Sequence, residues 1–263
     1  MTTDVPPLPL DLERTTYSYA ERHNATLIAL VERHVLSAKP TATILDIGCG
    51  AGANGRAIRA RYPNARLLGI EPNARAAELA RAVYDDVFEG DVRGWLDAGA
   101  SAAIDGVILS DVLEHIPDPI AFLRSLAAPP SLRGAVWVIS VPNYGVWYNR
   151  VNTLFGRFEY SWSGLYDRTH LRFFTRRSIR QALEYAGFGL LDEGCTPSIV
   201  QSLAPILRRF FQADVARGDH LSLEASPAYR VYTRAVEPTE TAVCSAWPAL
   251  LGFQIVTVAT LRS

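Results

Sequence analysis

Short apolar runs and longer amphipathic stretches alternate along the first two-thirds of the chain. Runs at 43–47, 66–70, 86–88, 104–109 and 134–141 have the length of strands and stop near Gly, Pro, Asn or Asp. Between them the apolar spacing changes to three and four residues, which predicts helices near 53–62, 73–84 and 119–128. Upstream, Leu27, Leu30, Val31 and Val35 share that spacing, so an amphipathic helix over 17–36 precedes the first strand and Pro40 closes it. Downstream, a helix over 175–186 ends at Gly187, a strand follows near 189–193, and the apolar run 253–261 predicts a last strand. The proline-rich residues 1–14 are expected to be poorly ordered and 200–248 to be helical or irregular; no internal repeat interrupts the pattern. Strands alternating with helices argue for an α/β fold built on a parallel sheet covered on both faces. In open sheets of this kind ligands bind at the carboxyl ends of the strands, near the point where strand order reverses.

The chemistry begins at such an end. Ile44-Leu-Asp-Ile-Gly-Cys-Gly-Ala-Gly52 reads as a buried strand running into a glycine-rich turn and then a helix. Gly48, Gly50 and Gly52 leave a bare backbone for a flat, nucleoside-like ligand. Asp46 sets a negative charge beside the turn, where a phosphate would be repelled and an ammonium or sulfonium attracted. S-adenosylmethionine fits that charge. A rival reading exists, because Gly50-Ala-Gly-Ala-Asn-Gly55 matches the dinucleotide fingerprint and Glu71 lies about 20 residues on, where an acid holds a ribose. Both cofactors contain adenosine, so Glu71 separates nothing and Asp46 discriminates. Acids also follow the other apolar runs, giving the ordered set Asp46, Glu71, Asp91 and Asp111. Any one of them could simply cap the next helix; four beside one glycine turn are hard to obtain from capping.

Composition narrows the classes further. Over 263 residues, 49% apolar and 20% charged content describe an ordinary globular chain able to bury a full core. A formal net charge of −1 offers no field for nucleic acid. Cys49, Cys195 and Cys244 show neither disulfide nor metal spacing, and no two histidines have ligand spacing, so a reducing cytoplasm and no metal are the expectations. The N-terminus lacks a secretory pattern and no apolar run approaches the roughly 18 residues that span a bilayer, so a soluble, cytoplasmic protein is expected.

Asp46-Ile-Gly-Cys-Gly-Ala-Gly, Glu71-Pro, Gly90-Asp91-Val and Ser110-Asp-Val-Leu-Glu-His115-Ile, taken in order, resemble the motifs of class I S-adenosylmethionine-dependent methyltransferases. The bacterial small-molecule group of ubiquinone-biosynthesis and sugar or natural-product tailoring enzymes is similar, and Asp167-Arg-Thr-His-Leu-Arg-Phe-Phe-Thr175 resembles a stretch recurrent in it. The resemblance covers roughly 40–190, with the last strand matching the closing hairpin. It implies a Rossmann-like α/β fold with a mostly parallel seven-stranded sheet, helices on both faces and an aromatic-rich insertion after the fifth strand. It implies one domain: an N-terminal helical segment (1–42), a cofactor core (43–142), an acceptor lid or insertion (143–175) and a part closing the sheet (176–263).

Carried over by position, Gly48, Gly50 and Gly52 would pass beneath the cofactor, with Cys49 as a small residue among them and Asp46 near the methionine amino end. Glu71 would accept the ribose hydroxyls, with Pro72 shaping the turn or opening the next helix. Asp91 would receive the adenine amino group with Val92 packed nearby, and Ser110, Asp111 and Val112 would line the sulfonium side. Tyr19 and Arg22, beside Tyr17, would close over the methionine carboxylate, or simply occupy a helix surface. Histidine suits proton removal from an alcohol or phenol. His115, after the fourth strand, and His170, in the aromatic segment, are the candidate bases; each could equally be a structural bond in its turn.

Residues 143–175 hold 10 of the chain's 26 aromatics together with four arginines, too dense a concentration for an ordinary crossover. Tyr144, Trp147, Tyr148, Tyr160, Trp162 and Tyr166 would form an acceptor pocket or lid, a homodimer contact, or a packed cap. A peripheral membrane contact through Trp147, Phe155, Phe158 and Trp162 lacks the clear amphipathic helix it would need. The expected activity is methyl transfer to an O or N atom of a small-molecule acceptor such as a sugar, quinone or natural product. The alternatives are an NAD(P)-dependent oxidoreductase and a non-catalytic methyltransferase-like subunit.

Overall fold

Seven strands form one sheet in the order β3-β2-β1-β4-β5-β7-β6. They are β1 (Thr43–Ile47), β2 (Arg66–Glu71), β3 (Asp86–Glu89), β4 (Gly106–Ser110), β5 (Val136–Pro142), β6 (Phe188–Pro197) and β7 (Gly252–Leu261). The computed structural model describes residues 23–99, 103–161, 164–197 and 237–262. β1 through β5 pair in parallel, whereas β7 runs antiparallel to both β5 and β6. The order reverses at β1, so the carboxyl ends of β1 and β4 open side by side and create the crevice that such sheets use for ligands.

The α-helices among the described residues are α1 (Ala25–Val31), α2 (Ala53–Arg61), α3 (Ala74–Ala80), α4 (Val92–Asp97), α5 (Pro119–Ala127), α6 (Trp147–Leu154), α7 (Arg176–Tyr185), α8 (Glu237–Ala246) and α9 (Pro248–Leu251), and a π-helical turn over Glu32–Leu36 continues α1. Alternate strand residues feed two separate cores. Ile44, Ile108 and Val138 pack with Leu27, Ile28, Ile58 and Ala77, beneath α1, α2 and α3. Leu45, Ile47, Leu109 and Ile139 pack with Leu123, Leu126, Ile179 and Leu183, beneath α5 and α7. Burial on both faces is why these strands read as continuous apolar runs. Trp137, fully buried, meets the Phe188 ring edge-on at 5.2 Å and locks β5 to the start of β6.

Each predicted strand is present within a few residues of its expected limits. The helix expected over 73–84 stops at Ala80, where Ala82 N–H and Val83 N–H turn back to Leu79 and Ala80 carbonyls and the chain tightens. Two short helices lie outside the expected set. α4 has six residues, one of them Gly94, and owes its start to a cap from Asp91. α6 is the helix that 143–175 was expected to lack; its apolar residues Trp147, Val151 and Leu154, with the following Phe155, recur at helical spacing but face outward. Tyr17, Tyr19, Arg22, Trp162 and His220, with most of 200–248, lie outside the described residues.

Candidate functional site: an acidic crevice at the ends of β1 and β4

The glycine turn follows β1 and is pinned to β2, because Gly48 N–H and Cys49 N–H both donate to the Ile70 carbonyl at 2.8 and 3.1 Å. Gly48 adopts φ +75°, and a Cβ there would stand 2.8 Å from Val112 Cγ2. Only glycine therefore lets the turn lie against the loop that follows β4. Gly50 and Gly52 are also left-handed, at φ 54° and 88°, and α2 begins at Ala53.

Glu71, the last residue of β2, is buried and organises this corner. Its Oε2 accepts from Gly50 N–H and its Oε1 from Asn73 N–H, both at 2.9 Å. Gly90 N–H donates to the Glu71 carbonyl at 3.0 Å, which brings the Asp91 loop to the same edge. Asp91 is exposed and caps α4 by accepting from Gly94 N–H at 2.8 Å, while Val92 opens that helix and is buried. The capping role is thus real for Asp91 and leaves its second oxygen to the solvent side. Pro72 precedes the α3 cap, Asn73, and does not open the helix.

Asp46 lies within β1, not beyond its end, and is 1% exposed. Its Oδ2 accepts from the Tyr84 hydroxyl at 2.6 Å, whereas its Oδ1 is buried without a hydrogen-bond partner among the described residues. Burial raises its pKa to about 7, against the Tyr84 hydrogen bond and with a smaller push from Glu71. Tyr84 reaches it across Gly55, where a Cβ would fall 2.6 Å from the phenol ring. The third glycine of the apparent dinucleotide fingerprint therefore serves ring packing. Tyr84→Phe should cost about 1–2 kcal/mol of folding stability, since it strips the remaining partner from a buried carboxylate; urea unfolding of both proteins at pH 8 measures this. Cys49 is buried beneath the turn and its thiol is pushed far up by burial, so it packs and does not react.

Asp111 follows β4 and is the one non-glycine residue with positive φ (55°) among the described residues. Gln254 Nε2, from β7, donates to both of its carboxylate oxygens at 2.7 Å. Burial lifts Asp111 to about 6, opposed by Gln254, Ser140 and Ser110. Gln254 Oε1 in turn accepts from Asn24 Nδ2 at 3.1 Å, so the residue that caps α1 is wired to the loop after β4. Ser110 faces Ser140, hydroxyl to hydroxyl, at 3.3 Å.

The next turn carries Glu114, which is 1% exposed, and His115, which is half-buried. The Glu114 carbonyl accepts from Leu171 N–H and Arg172 N–H at 2.8 and 3.0 Å, tying the His170 segment to the end of β4. The two imidazoles meet edge-to-face with centroids 4.9 Å apart. Burial lowers the pKa of both, with His170 adding to the effect on His115, so both stay neutral near pH 7. Burial drives Glu114 well above the usual carboxylate range, reinforced by Asp111 and Asp167. Beside them Tyr144, Phe158, Tyr166 and Phe173 stack into one aromatic cluster, with Tyr144–Phe173 centroids 5.1 Å apart and Phe158–Tyr166 5.0 Å apart.

The structure therefore gathers the glycine turn, Glu71 and the Asp91 loop at the ends of β1 to β3, with Ser110 ending β4 and Asp111, Val112 and His115 following it. Sequence reading missed Tyr84 and Gln254, the two side chains that hold the buried acids. No local signal marks them, since each acts on a residue far away in the chain.

A sheet in this order, with a bare glycine turn after β1 and acids at its rim, defines the Rossmann-like methyltransferase class. The orphaned Asp46 Oδ1 and the side-chain-free turn suit a cationic nucleoside. Residues 19–193 match the family described as Methyltransferase domain, and the chain belongs to that family, whose cofactor is S-adenosylmethionine. It is 33% identical over 107 residues to trans-aconitate 2-methyltransferase of Azoarcus sp. (strain BH72), covering 39% of this chain and 40% of that enzyme. It is 32% identical over 95 residues to the ubiquinone biosynthesis O-methyltransferase of Xanthomonas campestris pv. campestris (strain B100), covering 35% of this chain and 39% of that enzyme. The matches thus span about 40% of these relatives' length. The fold is also that of a SAM-dependent methyltransferase from Archaeoglobus fulgidus, with a TM-score of 0.53 at 18% identity over 90% of this chain and 93% of that one. No helix among the described residues is long and apolar enough to cross a membrane.

Proposed function

We propose that this chain transfers the methyl group of S-adenosylmethionine to an oxygen or nitrogen atom of a small-molecule acceptor. The observation that carries this reading is Asp46, a buried carboxylate with one unpartnered oxygen beside a left-handed glycine turn. Asp46 would hold the methionine amino end, Glu71 the ribose hydroxyls, and Asp91 the adenine edge. A bound sulfonium is already an activated leaving group, so the chain's own task is to align an acceptor and relieve it of a proton. His115 and His170 are neutral and close together, which suits them to accept that proton. The tie between Glu114 and the Leu171–Arg172 backbone supports residues 143–175 as the cover of the acceptor side. An oxygen acceptor is in keeping with the relative named as an O-methyltransferase.

Calorimetric titration of the purified chain with S-adenosylhomocysteine is expected to show one site, with no binding of NAD. Tight NAD binding without S-adenosylhomocysteine binding would sink the proposal. His115→Ala should leave that affinity nearly unchanged while lowering methyl transfer by about 10²–10⁴-fold, the usual scale of base removal. Transfer from methyl-labelled cofactor to a panel of sugar, quinol and natural-product acceptors reads this out, and unchanged turnover would return His115 to a structural role.

A further inference from the structure

Glu114, His115 and His170 come from two segments distant in sequence, yet one ligand atom from each lies within 4.8 Å of the others. Each imidazole is oriented by a backbone carbonyl: His115 Nδ1 lies 3.2 Å from the Thr169 oxygen and His170 Nδ1 3.2 Å from the Leu165 oxygen. A carbonyl only accepts, so each Nδ1 carries the proton and each Nε2 keeps its lone pair. This is how metal-binding histidines are held, with the second ring nitrogen donating to a carbonyl. The loop presenting His170 is braced, because Asp167 Oδ1 accepts from both Thr169 N–H and Thr169 Oγ1 at 2.8 and 2.7 Å. Glu114 supplies the third group. Both of its carboxyl oxygens are buried, and neither has a hydrogen-bond partner among the described residues. A buried carboxyl group left this way costs stability in either protonation state, and a cation that displaces its proton supplies the missing partner.

We propose that Glu114, His115 and His170 bind a divalent first-row transition ion of the zinc type. Two imidazoles and one carboxylate are the mixed nitrogen–oxygen set that such ions take, whereas magnesium and calcium demand oxygen ligands. Bonds of about 2.0–2.2 Å require ligand atoms roughly 3.3 Å apart, so an ion draws the three inward by an ångström or so. Three protein ligands leave one tetrahedral position open, to be filled by water or by an acceptor oxygen. With the ion present, the imidazole lone pairs are occupied and the two histidines act as ligands; an oxygen held at the open position loses its proton more readily. The proposal stands on the geometry of these residues and not on the methyl-transfer reading.

The test uses the full chain stripped with a chelator and titrated with Co²⁺ as a spectroscopic probe. One equivalent of Co²⁺ should develop visible d–d absorption, Zn²⁺ should abolish it, and Mg²⁺ should not. Glu114→Gln and His170→Ala should each weaken Co²⁺ binding by about 100-fold or more, since even losses outside the ligand set act on a scale of 10–100-fold. S-adenosylhomocysteine titration of the same samples reports that the variants are folded and separately tests the cofactor reading. His170→Ala, at a half-buried position, serves where Glu114→Gln does not fold. Absence of the Co²⁺ spectrum in the parent chain overturns the site, and so does a His170→Ala protein that binds S-adenosylhomocysteine and Co²⁺ as the parent does.

Discussion

Glu71→Gln and Glu71→Ala are expected to weaken S-adenosylhomocysteine binding to nearly the same extent, by about 2–3 kcal/mol, or roughly 30- to 150-fold. The equality is the informative part. Glu71 accepts one backbone N–H through each carboxylate oxygen, from Gly50 and from Asn73. A glutamine keeps a single acceptor oxygen and turns an N–H₂ toward the other donor, so one of the two ties is replaced by an opposed pair of donors. Either the glycine turn or the start of α3 then loses its anchor, and ribose recognition is lost with it. Calorimetry on the three proteins measures this. A glutamine variant that binds like the parent would show that Glu71 neither shapes the turn nor meets the ribose.

Binding of S-adenosylhomocysteine at pH 7 is expected to release a proton from Asp46. Burial raises the free carboxyl from 3.8 to about 7, so part of it is protonated at neutral pH. An ammonium group arriving at Oδ1 favours the charged form and expels that proton. The enthalpy of binding should therefore vary with the ionisation heat of the buffer, affinity should rise between about pH 6 and 8, and Asp46→Asn should abolish both effects. Stability of the free protein follows the opposite direction. A carboxyl whose folded pKa exceeds its unfolded value stabilises fully below about 3.8, and that contribution fades as pH rises through 7. Asp46→Asn should accordingly be the more stable protein at pH 8, by a few kcal/mol at about 1.4 kcal/mol per unit. Buffer-independent enthalpies in the parent chain would remove Asp46 from the cofactor's charged end.

Such an arrangement explains why the buried acid is tolerated. Tyr84 satisfies one oxygen, and the second is the one proposed above to meet the ligand. Binding stabilises what folding alone leaves strained.

Much of this was legible in the residues themselves. Strand and helix limits follow from periodicities of two and three to four, and the glycine turn from local backbone chemistry, so β1, β2 and α2 stand close to their expected places. The ordered acids were visible because each follows an apolar run. Their individual fates were not. Whether Asp91 caps α4, whether Asp46 meets Tyr84, and whether Asp111 meets Gln254 depends on segments folded in from elsewhere. α4 also hid, because six residues that include Gly94 hold too little of the helical period.

By itself the sequence determined the α/β alternation, the bare turn after β1 and the line of carboxylates beside it, because these depend on spacing within a few residues. Only the tertiary structure decided that β7 enters between β5 and β6, that Gln254 thereby reaches Asp111, and that His170 returns to Glu114 and His115. Those contacts join residues far apart along the chain. They are set by sheet register and burial on two faces, quantities that no local window of residues contains.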